Sequence, residues 1–179
     1  MGGFCPLFIF LNKGTISLKR IEQYIIPALL ASFICGAGIC LAIDITATGT
    51  WSDLTIDALN LTAGAGSDLN PTYASASNAV SIDITGTIGN WALKVQRDTF
   101  NWHSGLHLYI QRTSNGGNST ISGGDFYQEV TDIDQPFFSG NGDVNNVTVQ
   151  FELRGVSIQV PPNMPIGYTT MVTYTVSDT

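Results

Sequence analysis

Few residues in this chain are of a type and spacing that do chemistry. His103 and His107 are the only histidines, in "NWHSGLHLYI". A spacing of four puts two imidazoles on one face of a helix, as zinc enzymes use, but no Glu follows His103 and the segment reads as a turn leading into a strand. We read both as turn or surface histidines. Asp132 and Asp134 form a carboxylate pair of the kind that cleaves glycosides, on a short polar stretch with nothing to suggest a cleft. Ser, His and Asp are all present, yet no Ser sits in a G-x-S-x-G elbow. The expectation is a protein that is not an enzyme.

Calcium is the one cofactor for which the sequence offers ligands. "SGNGDVNN" gathers Asn141, Asp143, Asn145 and Asn146 on a Gly-rich loop, and oxygen donors on a tight loop suit Ca²⁺. The closing Glu of an EF-hand is missing, so a hairpin turn is the preferred reading and no cofactor is expected. Trp91, Trp102 and Tyr109, with Trp51 as a fourth, raise the prospect of a flat aromatic face that stacks on glycans. Against it stands the ordinary use of tryptophan in a sandwich core. Three sequons start at Asn60, Asn118 and Asn146 and matter only in a host that N-glycosylates.

Charge narrows the partners. Charged residues are 12% of the 179, and Gly counts 19. From Asp44 onward there are four basic residues (Lys94, Arg97, Arg112, Arg154) against 13 acidic ones. Such a surface repels phosphate backbones, which argues against nucleic acid.

The front of the sequence has a different character. Lys13, Lys19 and Arg20 precede the apolar run Ile25 to Leu41, "IIPALLASFICGAGICL". A positive flank, an apolar core and small residues near a cut are the layout of a secretory signal helix, here residues 1–42 with cleavage before Ile43. A retained membrane anchor is the alternative, since 17 apolar residues reach the lower end of a spanning length. All three cysteines (Cys5, Cys35, Cys40) lie in this part. The exported remainder, 43–179, would then have no disulfide and would rely on its core, burying roughly 68% of its unfolded surface.

That remainder reads as short strands. Val80, Ile82 and Ile84 alternate with polar residues; so do Trp91, Leu93 and Val95, and Leu106, Leu108 and Ile110. Val147, Val149, Phe151 and Leu153 continue the pattern, and Val156, Ile158 and Val160 follow in opposite phase behind an expected bulge at Arg154-Gly155. Tyr168, Val172, Tyr174 and Val176 form a last row, and "GGDFYQEV" is a weaker strand. "AGAGSDLNP", "TSNGGNS", "FSGNGD" and "VPPNMP" read as turns. The pattern predicts an all-β, immunoglobulin-like or pilin-like sandwich of about seven to nine antiparallel strands.

The first exported residues, "IDITATGTW", stand apart from the strands behind them. Ile43, Ile45, Ala47, Gly49 and Trp51 alternate with Asp44, Thr46, Thr48 and Thr50, and the phase changes twice in the run that follows. This is a separable strand. It belongs to the protein's own sheet, or it is donated to the sheet of the next copy, its backbone supplying affinity and its alternate side chains register. Head-to-tail donation does not close and so builds a filament.

The closing segment, "VPPNMPIGYTTMVTYTVSDT", is similar to the last strand of bacterial spore-coat-U-like and related secreted pilin subunits, where a Pro-rich turn and a Gly-Tyr pair lead into an alternating Thr/Val/Tyr strand. The middle, from "ISGGDFYQEV" on, resembles the same broad class. The resemblance implies a cell-surface fibre or coat component of the donor-strand class, with copies of itself as partners. A surface module for carbohydrate binding or adhesion is the alternative function.

Overall fold

The computed structural model describes residues 42–117, 120–161, 163 and 167–179. The expected signal segment lies outside these, except for Ala42.

Among the described residues, alternating apolar positions build nine strands. They are β1 (Asp44–Gly49), β2 (Thr72–Ala74), β3 (Val80–Thr85), β4 (Asn90–Arg97), β5 (His107–Arg112), β6 (Gln128–Glu129), β7 (Gln135–Asn141), β8 (Val144–Arg154) and β9 (Val172–Asp178). The only helical element among the described residues is a single 3-10 turn, Ala58–Asn60. One sheet runs β1-β3-β8-β5-β6, with β2 also paired to β8; the other runs β7-β4-β9. Every pairing is antiparallel.

The core lies between the two sheets because each strand turns one face inward. Ile82, Ile84, Leu93, Val95, Ile110, Val147 and Val149 are fully buried, and Trp91 nearly so. Burying such a side chain stabilises the fold by about 1.5–3 kcal/mol, which is how a sandwich without disulfides holds together. Long β8 is the spine of the larger sheet: β3 pairs with its first half, β2 and β5 with its second.

Three readings of the strands need correction. Residues 156–160 do not form a strand. Gly155, at φ +83°, turns the backbone out of β8, and a Cβ there would sit 2.1 Å from the Gly105 carbonyl oxygen. Val156 remains buried, but Ile158 is exposed. Second, "FSGNGD" is mostly strand: β7 continues to Asn141, and only Gly142-Asp143 turns. The register between β4 and β7 shifts between Leu93/Phe138 and Lys94/Pro136, so Phe137 is the extra residue of a bulge and both phenylalanines are buried. Third, "GGDFYQEV" contributes only the two-residue β6.

The same bulged region explains a glycine. Trp91 lies opposite Gly140, and a Cβ on Gly140 would meet the indole Cζ2 at 2.5 Å. The indole instead packs edge-on against Phe138, centroids 6.0 Å apart, and its Nε1 donates to the Gly142 carbonyl at 2.8 Å.

Candidate functional site: the N-terminal edge strand

β1 occupies the end of the larger sheet. Its one strand partner among the described residues is β3, in the register Ile45 to Ile84, Ala47 to Ile82 and Gly49 to Val80. The stretch Ile43 to Trp51 therefore completes the sheet of its own polypeptide, and its other backbone edge is unpaired by any described strand.

Each residue of the alternating row has a definite place. Ile45 is buried in the core. Ile43, Ala47 and Trp51 are partly buried and pack against it. Asp44, Thr46 and Thr48 face out, as the alternation predicts. Gly49 is exposed and adopts φ +108°, which an L side chain rarely takes; a Cβ would also lie 2.3 Å from the Ala79 carbonyl oxygen. Gly49 thus ends the strand and brings β1 close to the start of β3. At the other end, Gly86 at φ +71° makes room for the Ala42 carbonyl, 2.8 Å from where its Cβ would be.

Beyond Gly49 the backbone stays attached through one side chain. Trp51 stacks on Phe151 of β8, centroids 6.5 Å apart and planes 7° from parallel. Ser52 to Thr55 are then exposed. β1 also touches β9, so it closes the seam between the two sheets. The arrangement is a short amphipathic strand, anchored by Ile45 and Trp51 and followed by an exposed tether.

The other candidate residues are scattered. His107, on β5, bonds through Nδ1 to Glu129 at 2.7 Å, while His103 Nδ1 accepts from the Gly105 amide at 3.0 Å. The histidines stand on a strand and in a turn, not on one helix face. Asp132 is exposed, and Asp134 is 3.5 Å from Lys94 Nζ.

The Gly/Asn loop is not the hairpin turn expected: it carries the backbone from β7 in the smaller sheet to β8 in the larger one, and the two strands do not pair. Asp143 Oδ1 accepts from the Thr87 amide at 2.9 Å and its hydroxyl at 2.7 Å, clasping the β3–β4 turn. Those bonds, the backbone one first, hold the Asp143 carboxyl below its ordinary pKa. Asn141 Nδ2 donates to Asn90 Oδ1, and Asn146, at φ +58°, accepts from Ser81 Oγ. Among the described residues no three His, Cys, Asp or Glu side chains converge.

The aromatic platform does not assemble. Trp91 is core. Trp102 is half-buried, its Nε1 bonded to the Leu106 carbonyl at 2.7 Å and Arg97 lying 5.3 Å from its ring centre. Tyr109, on the outer face of the larger sheet, is covered by the Arg154 guanidinium at 3.9 Å, and Tyr127 flanks the same cation at 5.7 Å. Of the sequon residues, Asn60 Oδ1 caps the 3-10 turn by accepting from the Asp57 amide, and Asn118 lies outside the described residues.

Two polar clasps have no counterpart in the sequence reading. Arg112 is buried and donates to the Gly123 carbonyl at 2.8 Å, to Asn115 and to Asp125. Its place on the inward row of β5 was a signal that its charge needs partners. Asp68 Oδ1 accepts from the Ile158 amide at 2.9 Å and from Ser157, so its carboxyl too is held below its ordinary value, first by Ile158.

These features define an all-β protein of two packed antiparallel sheets. Comparison with protein-family models, with characterised proteins and with solved structures finds no match.

Proposed function

We propose that the protein is a non-enzymatic, exported structural protein, a pilus-like filament or coat subunit that assembles by donating Ile43 to Trp51 to a neighbouring copy. The observation that carries this reading is the position of β1: an edge strand at the end of the larger sheet, with one partner strand among the described residues, two inward anchors and an exposed tether. A strand so placed can exchange with that of another copy and regain the same contacts with β3, Phe151 and the seam. What exchange costs is association entropy and extension of the tether. The alternating pattern, the cysteine-free region from Ile43 and the likeness of the closing segment to secreted pilin subunits support the same reading.

The test is complementation. A variant lacking Ile43 to Trp51 should fail to polymerise, and should bind a synthetic Ile43–Trp51 peptide with recovery of a single cooperative melt. The parent should form denaturant-resistant polymers. A parent that stays monomeric at every concentration, with the peptide unable to rescue the truncated variant, would refute the proposal.

A further inference from the structure

The protein has two Asn-Gly pairs in turns, Asn115-Gly116 and Asn141-Gly142, and they are held differently. We propose that Asn115 is a site of spontaneous, self-promoted deamidation, with the Arg112 guanidinium acting directly on its reacting carbonyl, and that Asn141 is protected.

The chemistry is cyclisation. The Gly116 backbone nitrogen attacks Asn115 Cγ and forms a C–N bond. The bond between Cγ and Nδ2 of the Asn115 amide breaks, and ammonia leaves with the proton from the Gly116 amide. Solvent water then opens the succinimide at either carbonyl, to an aspartyl residue or to its isoaspartyl isomer. The net change is amide plus water to carboxylic acid plus ammonia.

The surroundings of Asn115 favour that attack. Asn115 is exposed, outside any strand, and its Oδ1 accepts from the Arg112 guanidinium. A cation on that oxygen polarises Cγ and stabilises the oxyanion that forms on attack, as donors at an oxyanion hole do. The guanidinium is itself fixed by Asp125 and the Gly123 carbonyl, so it needs little rearrangement. Among the described residues the Gly116 amide is held only by a long 3.4 Å bond to Ser114 Oγ. Gly116 is also required on structural grounds: at φ +56°, a Cβ would lie 2.0 Å from the Asn145 carbonyl oxygen. The residue whose amide is the better nucleophile is thus fixed by packing.

Asn141-Gly142 is the internal control. Asn141 is the last residue of β7, paired with Asn90. Its Nδ2 donates to Asn90 Oδ1 at 2.9 Å, and its carbonyl accepts from Thr120 Oγ1 at 2.9 Å. The attacking nitrogen, Gly142 N–H, donates to the Gly89 carbonyl at 3.2 Å. Attack there must first break these bonds.

The experiment is peptide mapping of the purified protein by mass spectrometry over time in mildly alkaline buffer, native and in urea. In the native protein Asn115 should convert to a mixture of aspartate and isoaspartate while Asn141 persists. Asn115 should convert faster in the native protein than in urea, where the Arg112 contact is lost, whereas Asn141 should slow on folding by about tenfold or more, the value of one retained hydrogen bond. Asn115→Gln should abolish conversion at that position, and Asn115→Asp supplies the product standard. Equal rates at the two sites in the folded protein, faster loss at Asn141, or no conversion at Asn115 while the unfolded protein does convert, would each overturn the proposal.

Discussion

The indole of Trp51 lies nearly parallel to the ring of Phe151, 6.5 Å away, and this contact ties the exit of the edge strand to the central strand of the larger sheet. It is the last apolar anchor before the exposed residues that follow. Trp51→Ala should therefore cost about 1.5–3 kcal/mol, combining lost burial with a lost aromatic pair. The loss should be local: hydrogen exchange should speed in β1 well before β4, whose protection follows global unfolding.

Gly140 and Trp91 share one volume, since a Cβ on Gly140 would enter the indole. Gly140→Ala should destabilise by about 1–3 kcal/mol through overpacking, with a red-shifted tryptophan emission as the ring is displaced. Ser139→Ala, exposed on the same strand, is the control and should fall within about 0.5 kcal/mol of the parent.

Tyr174 is buried on β9, and its hydroxyl has no hydrogen-bond partner among the described residues. Burial alone pushes this phenol's pKa up. Removing an unsatisfied buried hydroxyl relieves its desolvation, so Tyr174→Phe should stabilise the fold by about 1 kcal/mol in denaturant titrations. A loss of that size would mean that the hydroxyl is satisfied.

The Asp143 clasp sets a pH dependence. Its folded carboxyl lies below the ordinary 3.8 because the Thr87 amide and then the Thr87 hydroxyl bond the charged form. A depressed carboxyl stabilises the fold above its unfolded value, and that contribution is lost as the pH falls through the folded one. Asp143→Asn should lower the denaturation midpoint near neutral pH. The gap to the parent should close as the pH drops below about 4. A gap independent of pH would assign the effect to the loop's shape instead of its charge.

Where apolar residues alternate without interruption, the strands were legible in the sequence. Val80, Ile82 and Ile84 are buried as read, and so are Trp91, Leu93 and Val95. β7 was not, because its bulge turns Phe137 and Phe138 inward together, and its Pro136 and Gly140 resemble turn residues. Pro136 is accommodated because β7 is an edge strand, where a missing N–H costs no ladder bond. Val156 to Val160 have strand alternation but follow Gly155, whose left-handed backbone overrides local propensity. Of the candidate site, the existence and facing of β1 were legible from its period of two. Its pairing with β3, and the Trp51–Phe151 stack, are contacts between residues far apart in sequence, which no local pattern specifies.

The central claim, that β1 is exchanged between copies, is tested most directly by disulfide trapping. Thr48 and Ser81 are Cα partners across β1 and β3, on the outward face. All native cysteines lie before Ala42, so Cys5, Cys35 and Cys40 are replaced by Ser. Protein with Thr48→Cys is then mixed with protein bearing Ser81→Cys, and the mixture is unfolded, refolded together and oxidised. Donation predicts a covalent dimer joining one variant to the other through these two positions, with longer polymers when both cysteines share one polypeptide. If instead the mixture yields no such dimer, and the double variant closes only within its own polypeptide, β1 stays in its own sheet and the filament account is wrong.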